Sequence, residues 1–207
     1  MAPDPKSGLL EVIMKGCRSL SDEEIQRVVV SFWGKNALRN RCLVVLGIKS
    51  GFRISELLSL KVGSVWQFGQ VVERVSVARC SMKKRQEGRT VLLHPEAKAA
   101  IEALLAVLHR KATFGPHTYL FQSQKGPNKP LSRVGAWLVL KKAFAKTQVI
   151  GKTGTHCLRK TFADRIYGRL GNDLVKTQRA MGHRNIQSTI SYLGFKESEI
   201  DQAILEI

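Results

Sequence analysis

One segment of the chain, residues 71–93, has the pattern of β-strands, and it constrains the fold more than any other feature. Two runs rich in β-branched residues, 71–79 and 89–93, flank the basic linker 82–88. Runs of this kind joined by a short polar linker predict a β-hairpin, here with a cationic turn. The sequence therefore predicts one small antiparallel sheet, and the rest of the fold must come from helices.

The remainder of the chain carries helix start and stop signals. Residues 21–24 (SDEE) form a capping box with acidic side chains in the first helical turn. Gly51 ends a helix predicted over 36–50, and Pro95 suits the first position of another helix. Further helices are predicted over 54–60, 132–146, 155–170, 173–181 and a short piece that reaches Tyr192. The predicted fold class is mainly α with a small antiparallel β-sheet (α+β).

The length of the chain, 207 residues, is that of one ordinary domain. Hydrophobic residues make up 43% and charged residues 24%, which is typical of a globular protein and not of a disordered one. We expect residues 1–18 to be a loosely ordered lead-in segment and residues 19–207 to form a single domain.

The charge of the chain is strongly positive. Lys and Arg number 34 against 16 Asp and Glu, which gives a net charge of +18. Residues 103–163 contain eleven basic residues and no acidic one. A surface that carries only positive charges favours a polyanion as the binding partner, and nucleic acid is the first candidate. We expect no membrane partner, because no long basic amphipathic helix is present. Candidate phosphate contacts in and near this stretch are Lys83, Arg85, Arg133, Lys141, Lys142 and Lys160.

Several other classes of protein are excluded by the sequence. Gly151-Lys152-Thr153 resembles the end of a phosphate-binding loop, but the required first glycine falls on Lys146. Histidines and acidic residues do not cluster as metal ligands, so we expect no metal and no cofactor. The four cysteines show no paired spacing, and no signal peptide or spanning segment is visible. These features predict a cytoplasmic protein with reduced thiols.

A few isolated residues could act on a phosphate, although each also has an ordinary structural explanation. His156 and Arg159 are three residues apart, so they share one face of a predicted helix. Arg53 follows Gly51 at a helix start, and His183 follows Gly182 at a helix end, where surface cations and capping side chains are common. Tyr192 could equally be a half-buried core residue. None of these residues identifies a function alone.

Taken together, the motifs resemble the tyrosine recombinase (phage integrase) family. They are residues 51–60 (GFRISELLSL), 156–163 (HCLRKTFA) and 181–183 (MGH), with Tyr192 nine residues after His183. The resemblance covers about residues 19–207 and implies the catalytic domain of that family. It also implies a set of catalytic residues, which falls here on Arg53, Lys84, His156, Arg159, His183 and Tyr192. Lys84 lies in the predicted hairpin turn, five residues before Arg89. Lys83 is the alternative for the catalytic lysine, and Arg85 is a less favoured alternative.

The implied activity is site-specific DNA recombination through a covalent 3′-phosphotyrosyl intermediate, without metal. A tyrosine oxygen can displace a DNA 5′-oxygen, and arginines suit the charge that grows on the phosphate. Lysine can protonate the leaving oxygen, and imidazole can take the proton of Tyr192. Glu56, one turn after Arg53, is expected to orient that arginine; the alternative is that it acts as a base. The alternatives are a type IB topoisomerase-like enzyme and a DNA-binding relative that does not cut.

The resemblance also implies double-stranded DNA as the partner and self-assembly on paired sites, as a tetramer. Members of the family typically carry a further DNA-binding domain before the catalytic one. Only about 18 residues precede the domain in this sequence. A naturally short member and a fragment of a longer integrase both fit this length.

Overall fold

The computed structural model describes residues 16–79, 86–193, 201–202 and 204–207, and its described part is mainly helical. The helices are α1 (Asp22–Ser31), α2 (Ala37–Ser50), α3 (Ile54–Ser59), α4 (Val62–Val65), α5 (Pro95–Leu108), α6 (Arg133–Lys146), α7 (His156–Arg169), α8 (Leu174–Met181) and α9 (Ile186–Ile190). The strands are β1 (Trp66–Gln67), β2 (Gln70–Val71), β3 (Arg74–Arg79) and β4 (Gln86–Leu92). The predicted fold class, mainly α with small antiparallel sheet structure, is confirmed.

The helix boundaries follow the capping signals of the sequence. The Ser21 side chain accepts a hydrogen bond from the Glu24 backbone N–H, and the Glu24 carboxylate accepts one from the Ser21 backbone N–H, which completes the predicted capping box. Helix α2 ends at Gly51 in the left-handed conformation. Ser132 caps α6 by accepting a hydrogen bond from the Gly135 backbone. Local side-chain chemistry therefore sets the ends of these helices.

The prediction of one sheet was wrong, because the described residues form two separate two-stranded sheets. Strands β1 and β2 form a tight hairpin whose two turn residues, Phe68 and Gly69, have φ values of 50° and 78°. Two successive positive φ values are typical of the type I′ turn, whose twist matches that of the paired strands. Val71 therefore pairs with Trp66, and the larger hairpin begins at Arg74.

Helix α2 passes through the centre of the molecule and is buried on two sides. Leu43 and Leu46 pack in the cluster formed with α5 and the sheets, whereas Val44 and Ile48 pack in a second cluster with α1, α6 and α7. A side chain at Gly47 would bring its Cβ within 2.8 Å of Leu158 on α7, so α2 and α7 are in close contact. This packing fixes the C-terminal end of α2 in the interior, close to α7.

Among the residues that the structure describes, no helix combines the length and the apolar character needed to cross a bilayer. Cys17, Cys42 and Cys157 are free thiols, and Cys80 lies outside the described residues. Burial raises the pKa of the Cys157 thiol to about 12. Cys157 is therefore a protonated packing residue at neutral pH.

Candidate active site

The C-terminal ends of α2 and α8 meet at the buried guanidinium of Arg159. Arg159 projects from α7, is 1% exposed, and donates from Nη1 to the Gly51 carbonyl and from Nη2 to the Met181 carbonyl at 2.8 Å. Both carbonyls belong to helix ends, where backbone oxygens lack partners within the helix and carry partial negative charge. Arg159 therefore ties two helix ends together from inside the protein.

Gly51 is required at this junction for two reasons. Its φ is 61°, in the left-handed region that side chains disfavour. A Cβ at this position would also lie 2.2 Å from Cδ1 of Phe162, which is too close for any substitution. The glycine turns the chain out of α2, and two residues later the chain reaches Arg53.

The electrostatic surroundings of Arg159 suit an anion. Burial, and then the charge of nearby Arg53, lower the pKa of the Arg159 guanidinium to about 10, so it remains charged at neutral pH. Its Nε is buried and has no hydrogen-bond partner within the described part of the chain. A buried donor without a partner is costly. A phosphate oxygen is the kind of group that would satisfy it.

Arg53 lies immediately before α3, and its backbone and side chain both contact Glu56. The Arg53 backbone N–H donates to one Glu56 carboxylate oxygen at 2.6 Å, and its Nη1 donates to the other at 3.1 Å. The Arg53 side chain is 39% exposed, whereas that of Glu56 is 10% exposed. Glu56 uses both oxygens to fix the backbone and side chain of Arg53, which leaves the other guanidinium nitrogens available for a ligand.

His183 contacts Arg159 directly and is held in one tautomer. The Arg159 Nη2 lies 2.8 Å from His183 Nε2, and His183 Nδ1 lies 2.9 Å from the Thr189 hydroxyl. A guanidinium can only donate, so Nε2 must accept and the ring proton must be on Nδ1. His183 is 8% exposed and Thr189 is fully buried. His183 is therefore held between the Arg159 guanidinium and the Thr189 hydroxyl.

Tyr192 brings its hydroxyl to the second histidine. The Tyr192 oxygen lies 3.3 Å from His156 Nδ1, and His156 is the exposed first residue of α7. The Tyr192 ring packs beside the His183 ring, with centroids 5.3 Å apart, and the Arg159 guanidinium carbon lies 5.5 Å from the Tyr192 centroid. The phenol, two imidazoles and a guanidinium therefore meet at one place.

The predicted phosphate contacts lie in different environments. Arg133, Lys141 and Lys142 are exposed on α6, where a phosphate could reach them. Lys160 is only 6% exposed and lines a cavity of about 290 Å³ with His156 and Tyr192. Packing turns Lys160 toward this cavity and away from the outer surface, and its contact with DNA stays a prediction. The hairpin residues Lys83, Lys84 and Arg85 lie outside the described residues.

Two residues of this cluster were missed by sequence reasoning. Thr189 holds His183, and its carbonyl accepts the Tyr192 backbone N–H at 2.9 Å. Arg89 is a buried residue of β4 that donates to the same Gly51 carbonyl as Arg159. The nine-residue spacing between His183 and Tyr192 could have pointed to an intervening polar anchor such as Thr189. In the sequence, Arg89 serves only as the reference position for Lys84, and nothing near it shows that its side chain is buried at these helix ends.

The cluster has the chemical groups for phosphoryl transfer to a tyrosine. Guanidinium groups stabilise charge on phosphate oxygens, a phenol is a nucleophile, and an imidazole can accept its proton. In the described ranges, no three His, Cys, Asp or Glu side chains are grouped so that they could hold a metal ion. Arg53 and Arg159 are groups in this cluster that can balance phosphate charge.

Comparison with known proteins agrees with this chemistry. Residues 18–199 match the phage integrase family. The probable integrase/recombinase YoeC of Bacillus subtilis (strain 168) is 32% identical over 185 residues, which cover 89% of this chain and 92% of YoeC. The tyrosine recombinase XerD of Halalkalibacterium halodurans is 29% identical over 181 residues, which cover 84% of this chain. The chain spans only 56% of that XerD.

Solved structures share the fold. A crystal structure of XerA recombinase superposes with a TM-score of 0.73 at 22% identity and covers 93% of this chain, while the match spans 65% of XerA. XerH recombinase bound to palindromic difH substrate superposes with a TM-score of 0.70 at 21% identity, over 90% of this chain and 51% of XerH. The described fold is therefore shared with part of each of these recombinases.

Proposed function

We propose that this chain, which belongs to the phage integrase family, breaks and rejoins DNA strands at specific sites through a bond between Tyr192 and a 3′-phosphate. Site-specific recombination by a tyrosine recombinase is the activity that the family and the relatives support. The observation that carries the assignment of the nucleophile is the 3.3 Å separation of Tyr192 Oη from His156 Nδ1, beside the buried Arg159.

In the proposed reaction, Tyr192 Oη attacks the scissile phosphorus. The bond from phosphorus to the tyrosine oxygen forms, and the bond from phosphorus to the DNA 5′-oxygen breaks. His156 accepts the phenol proton, and Lys84 donates a proton to the 5′-oxygen. Arg53 and Arg159 balance the charge that develops on the other phosphate oxygens. Rejoining reverses these steps when a 5′-hydroxyl attacks the phosphotyrosine.

The experiment that tests this function traps the covalent intermediate. A pool of randomised duplexes, each nicked close to the centre, is incubated with the chain in excess EDTA, so that a cleaved strand loses its 5′-hydroxyl fragment. Adducts that survive denaturant are recovered and sequenced, and the most enriched duplex becomes the reference substrate. We expect an adduct in EDTA because arginines and not a metal balance the charge. Absence of an adduct with every duplex would refute the proposed function.

Neither alternative suggested by the sequence is favoured. The relatives are named as recombinases and integrases, and none of those described above is a topoisomerase. Strand exchange between two duplexes, compared with relaxation of a supercoiled plasmid, distinguishes a recombinase from a topoisomerase. A DNA-binding relative that does not cut would form no adduct in the trapping experiment.

Double-stranded DNA is the proposed partner, and the exposed cations of α6 are its proposed phosphate contacts. If about five to eight phosphates are neutralised, log affinity should fall against log salt with a slope of roughly −5 to −7. Replacing Lys141 or Lys142 by Gln should reduce the slope by about one. The control is Lys98→Gln, since Lys98 is engaged by Glu73 on the hairpin side of the molecule. Titrations at several salt concentrations measure the slope, and an unchanged slope in both α6 variants would remove them from the interface.

We further propose that four subunits assemble on paired recombination sites, and that partner subunits supply part of the sequence selectivity. The isolated chain should then prefer its reference duplex over a scrambled one by less than ~10³-fold, the low end for a complete site-specific binder. Sedimentation of the chain with paired duplexes would measure the assembly.

The proposed general acid, Lys84, can be tested chemically. A substrate whose bridging 5′-oxygen is replaced by sulfur has a leaving group that needs no proton. Lys84→Ala should therefore cleave the oxygen substrate slowly and the sulfur substrate at nearly the rate of the unchanged chain. The matched variant is Lys83→Ala, which should cleave both substrates normally. Rescue of Lys83→Ala instead would assign the proton donor to Lys83.

A further inference from the structure

Arg89 is a second buried guanidinium beside the active site, and the reaction described above does not use it. It lies on β4, opposite Val77 of β3, and is 9% exposed. The Arg89 guanidinium carbon lies 5.5 Å from the centroid of the Phe52 ring, so a cation–π contact covers one face. Arg89 therefore places a positive charge in the interior, and the groups that accept its hydrogen bonds show what this charge stabilises.

The hydrogen bonds of Arg89 join the same two helix ends that Arg159 joins. Its Nη1 donates to the Gly51 carbonyl at 3.2 Å, and its Nη2 donates to the Ser50 carbonyl at 3.0 Å and to the Ala180 carbonyl. Ser50 and Gly51 end α2, and Ala180 is in the last turn of α8. The Gly51 carbonyl accepts from both arginines.

This arrangement provides a physical reason for the buried charge. The last carbonyls of a helix have no partner within it, and the helix dipole concentrates negative potential there. Two helix ends that face each other with αL glycines, Gly51 and Gly182, present several such carbonyls at once. Two planar guanidinium groups can satisfy these carbonyls in pairs, which a single ammonium group cannot do.

The two helix ends also supply the other active-site groups. Arg53 is two residues beyond Gly51, and His183 is three residues beyond Ala180. A change in the spacing of these ends would shift Arg53 and His183 relative to each other. It would also move the carbonyl groups of Gly51 and Met181, which orient Arg159 by accepting its hydrogen bonds.

We infer that Arg89 is a positioning residue that sets the placement of the Arg159 guanidinium by fixing the ends of α2 and α8. The inference rests on the proposed function of the site. It concerns Arg159 and not the general acid, even though Arg89 and the proposed acid Lys84 are only five residues apart in the sequence. A displacement of about 1 Å in a reacting geometry can cost ~10²-fold in rate.

The test uses Arg89→Met, which keeps an unbranched stem but loses every donor, and Arg89→Lys, which keeps the charge but cannot span both helix ends. The matched control is Arg74→Met, an exposed position on the facing strand of the same hairpin. Single-turnover cleavage of the reference nicked duplex should fall by ~10²-fold in Arg89→Met. Binding to the duplex and cleavage by Arg74→Met should remain within a factor of about two.

Two readouts separate a positioning role from a general loss of structure. In a chain that already carries Arg159→Lys, the further change Arg89→Met should cost clearly less than the ~10²-fold that it costs in the unchanged chain, because the main group that it positions is gone. The substrate with a bridging 5′-sulfur should not restore Arg89→Met, although it should restore Lys84→Ala. Thermal unfolding of each variant shows that the compared proteins are folded.

Each other result overturns the inference. Normal cleavage by Arg89→Met, or effects of the two arginines that simply multiply, would show that Arg89 does not act through Arg159. Normal cleavage of the sulfur substrate by Arg89→Met would show that Arg89 acts through the proposed general acid, Lys84, and not through Arg159. If Arg89→Met does not fold, the same cleavage measurements are made with Arg89→Lys. If neither variant folds, Arg89 is needed for the stability of the protein and the positioning role is rejected. Failure of the proposed function is a different result, in which the unchanged chain forms no adduct.

Discussion

Replacing Tyr192 by Phe is expected to abolish the covalent protein–DNA adduct and to leave DNA binding intact. The substitution removes only the oxygen that lies 3.3 Å from His156 Nδ1. The ring contacts with His183 and with the Arg159 guanidinium do not need the hydroxyl, so the surrounding site should keep its geometry. A nucleophile has no substitute in this scheme, which makes the expected loss complete.

The measurement is single-turnover incubation with the reference nicked duplex, followed by denaturing electrophoresis and by a separate binding titration. Tyr119→Phe is the matched control, because Tyr119 lies near Lys61, in another part of the fold, and should leave the adduct unchanged. Peptide mapping of the adduct formed by the unchanged chain should place the DNA on Tyr192. Recovery of the DNA on Tyr119 or Tyr167 would show that the nucleophile has been assigned to the wrong residue.

Local chemistry made much of the fold predictable from the sequence. The capping box at Ser21, the left-handed Gly51 and the cap at Ser132 depend on residues within a few positions of each other, and all three lie where the sequence placed them. The small hairpin at Phe68 was not predictable in this way. A bulky side chain with φ of 50° is uncommon, and nothing around it has the Asn-Gly or Asp-Gly pattern of such turns.

The candidate site shows the same division between local and tertiary information. The motifs that resemble a known family named His156, Arg159 and Tyr192, and the structure brings these residues together. Arg89 and Thr189 were missed because their importance comes from partners far away in the sequence or from a buried contact. Arg89 reaches Ala180 across 91 positions, and no periodicity or spacing rule reports a contact of that kind.

Lys160 illustrates the limit of an argument from charge. A stretch of one sign predicts a basic surface on average, but a helix distributes its residues around its axis. In α7, Lys160 faces inward at 6% exposure, whereas the α6 residues Lys141 and Lys142 face outward. The sequence therefore predicted the polyanion partner from total charge, and packing decides which cations can contact it.

Replacing Arg159 by Lys is expected to lower single-turnover cleavage by at least ~10²-fold, since the ammonium keeps the charge but loses the planar fork. Arg53→Lys should lower cleavage by a similar factor. The two variants should differ in stability. Arg159 satisfies the carbonyls of Gly51 and Met181 in the interior, whereas the Arg53 side chain is 39% exposed and bonds Glu56.

Loss of one of the buried hydrogen bonds from Arg159 to the Gly51 and Met181 carbonyls should destabilise Arg159→Lys by about 1–3 kcal/mol. Arg53→Lys should unfold at nearly the temperature of the unchanged chain. The control on the same helix is Arg165→Lys, because Arg165 pairs with Asp22 at the surface and should affect neither property. Thermal unfolding and cleavage of the reference duplex measure the two effects separately. Near-normal cleavage by both Arg53→Lys and Arg159→Lys would show that these arginines are structural cations and do not hold the phosphate.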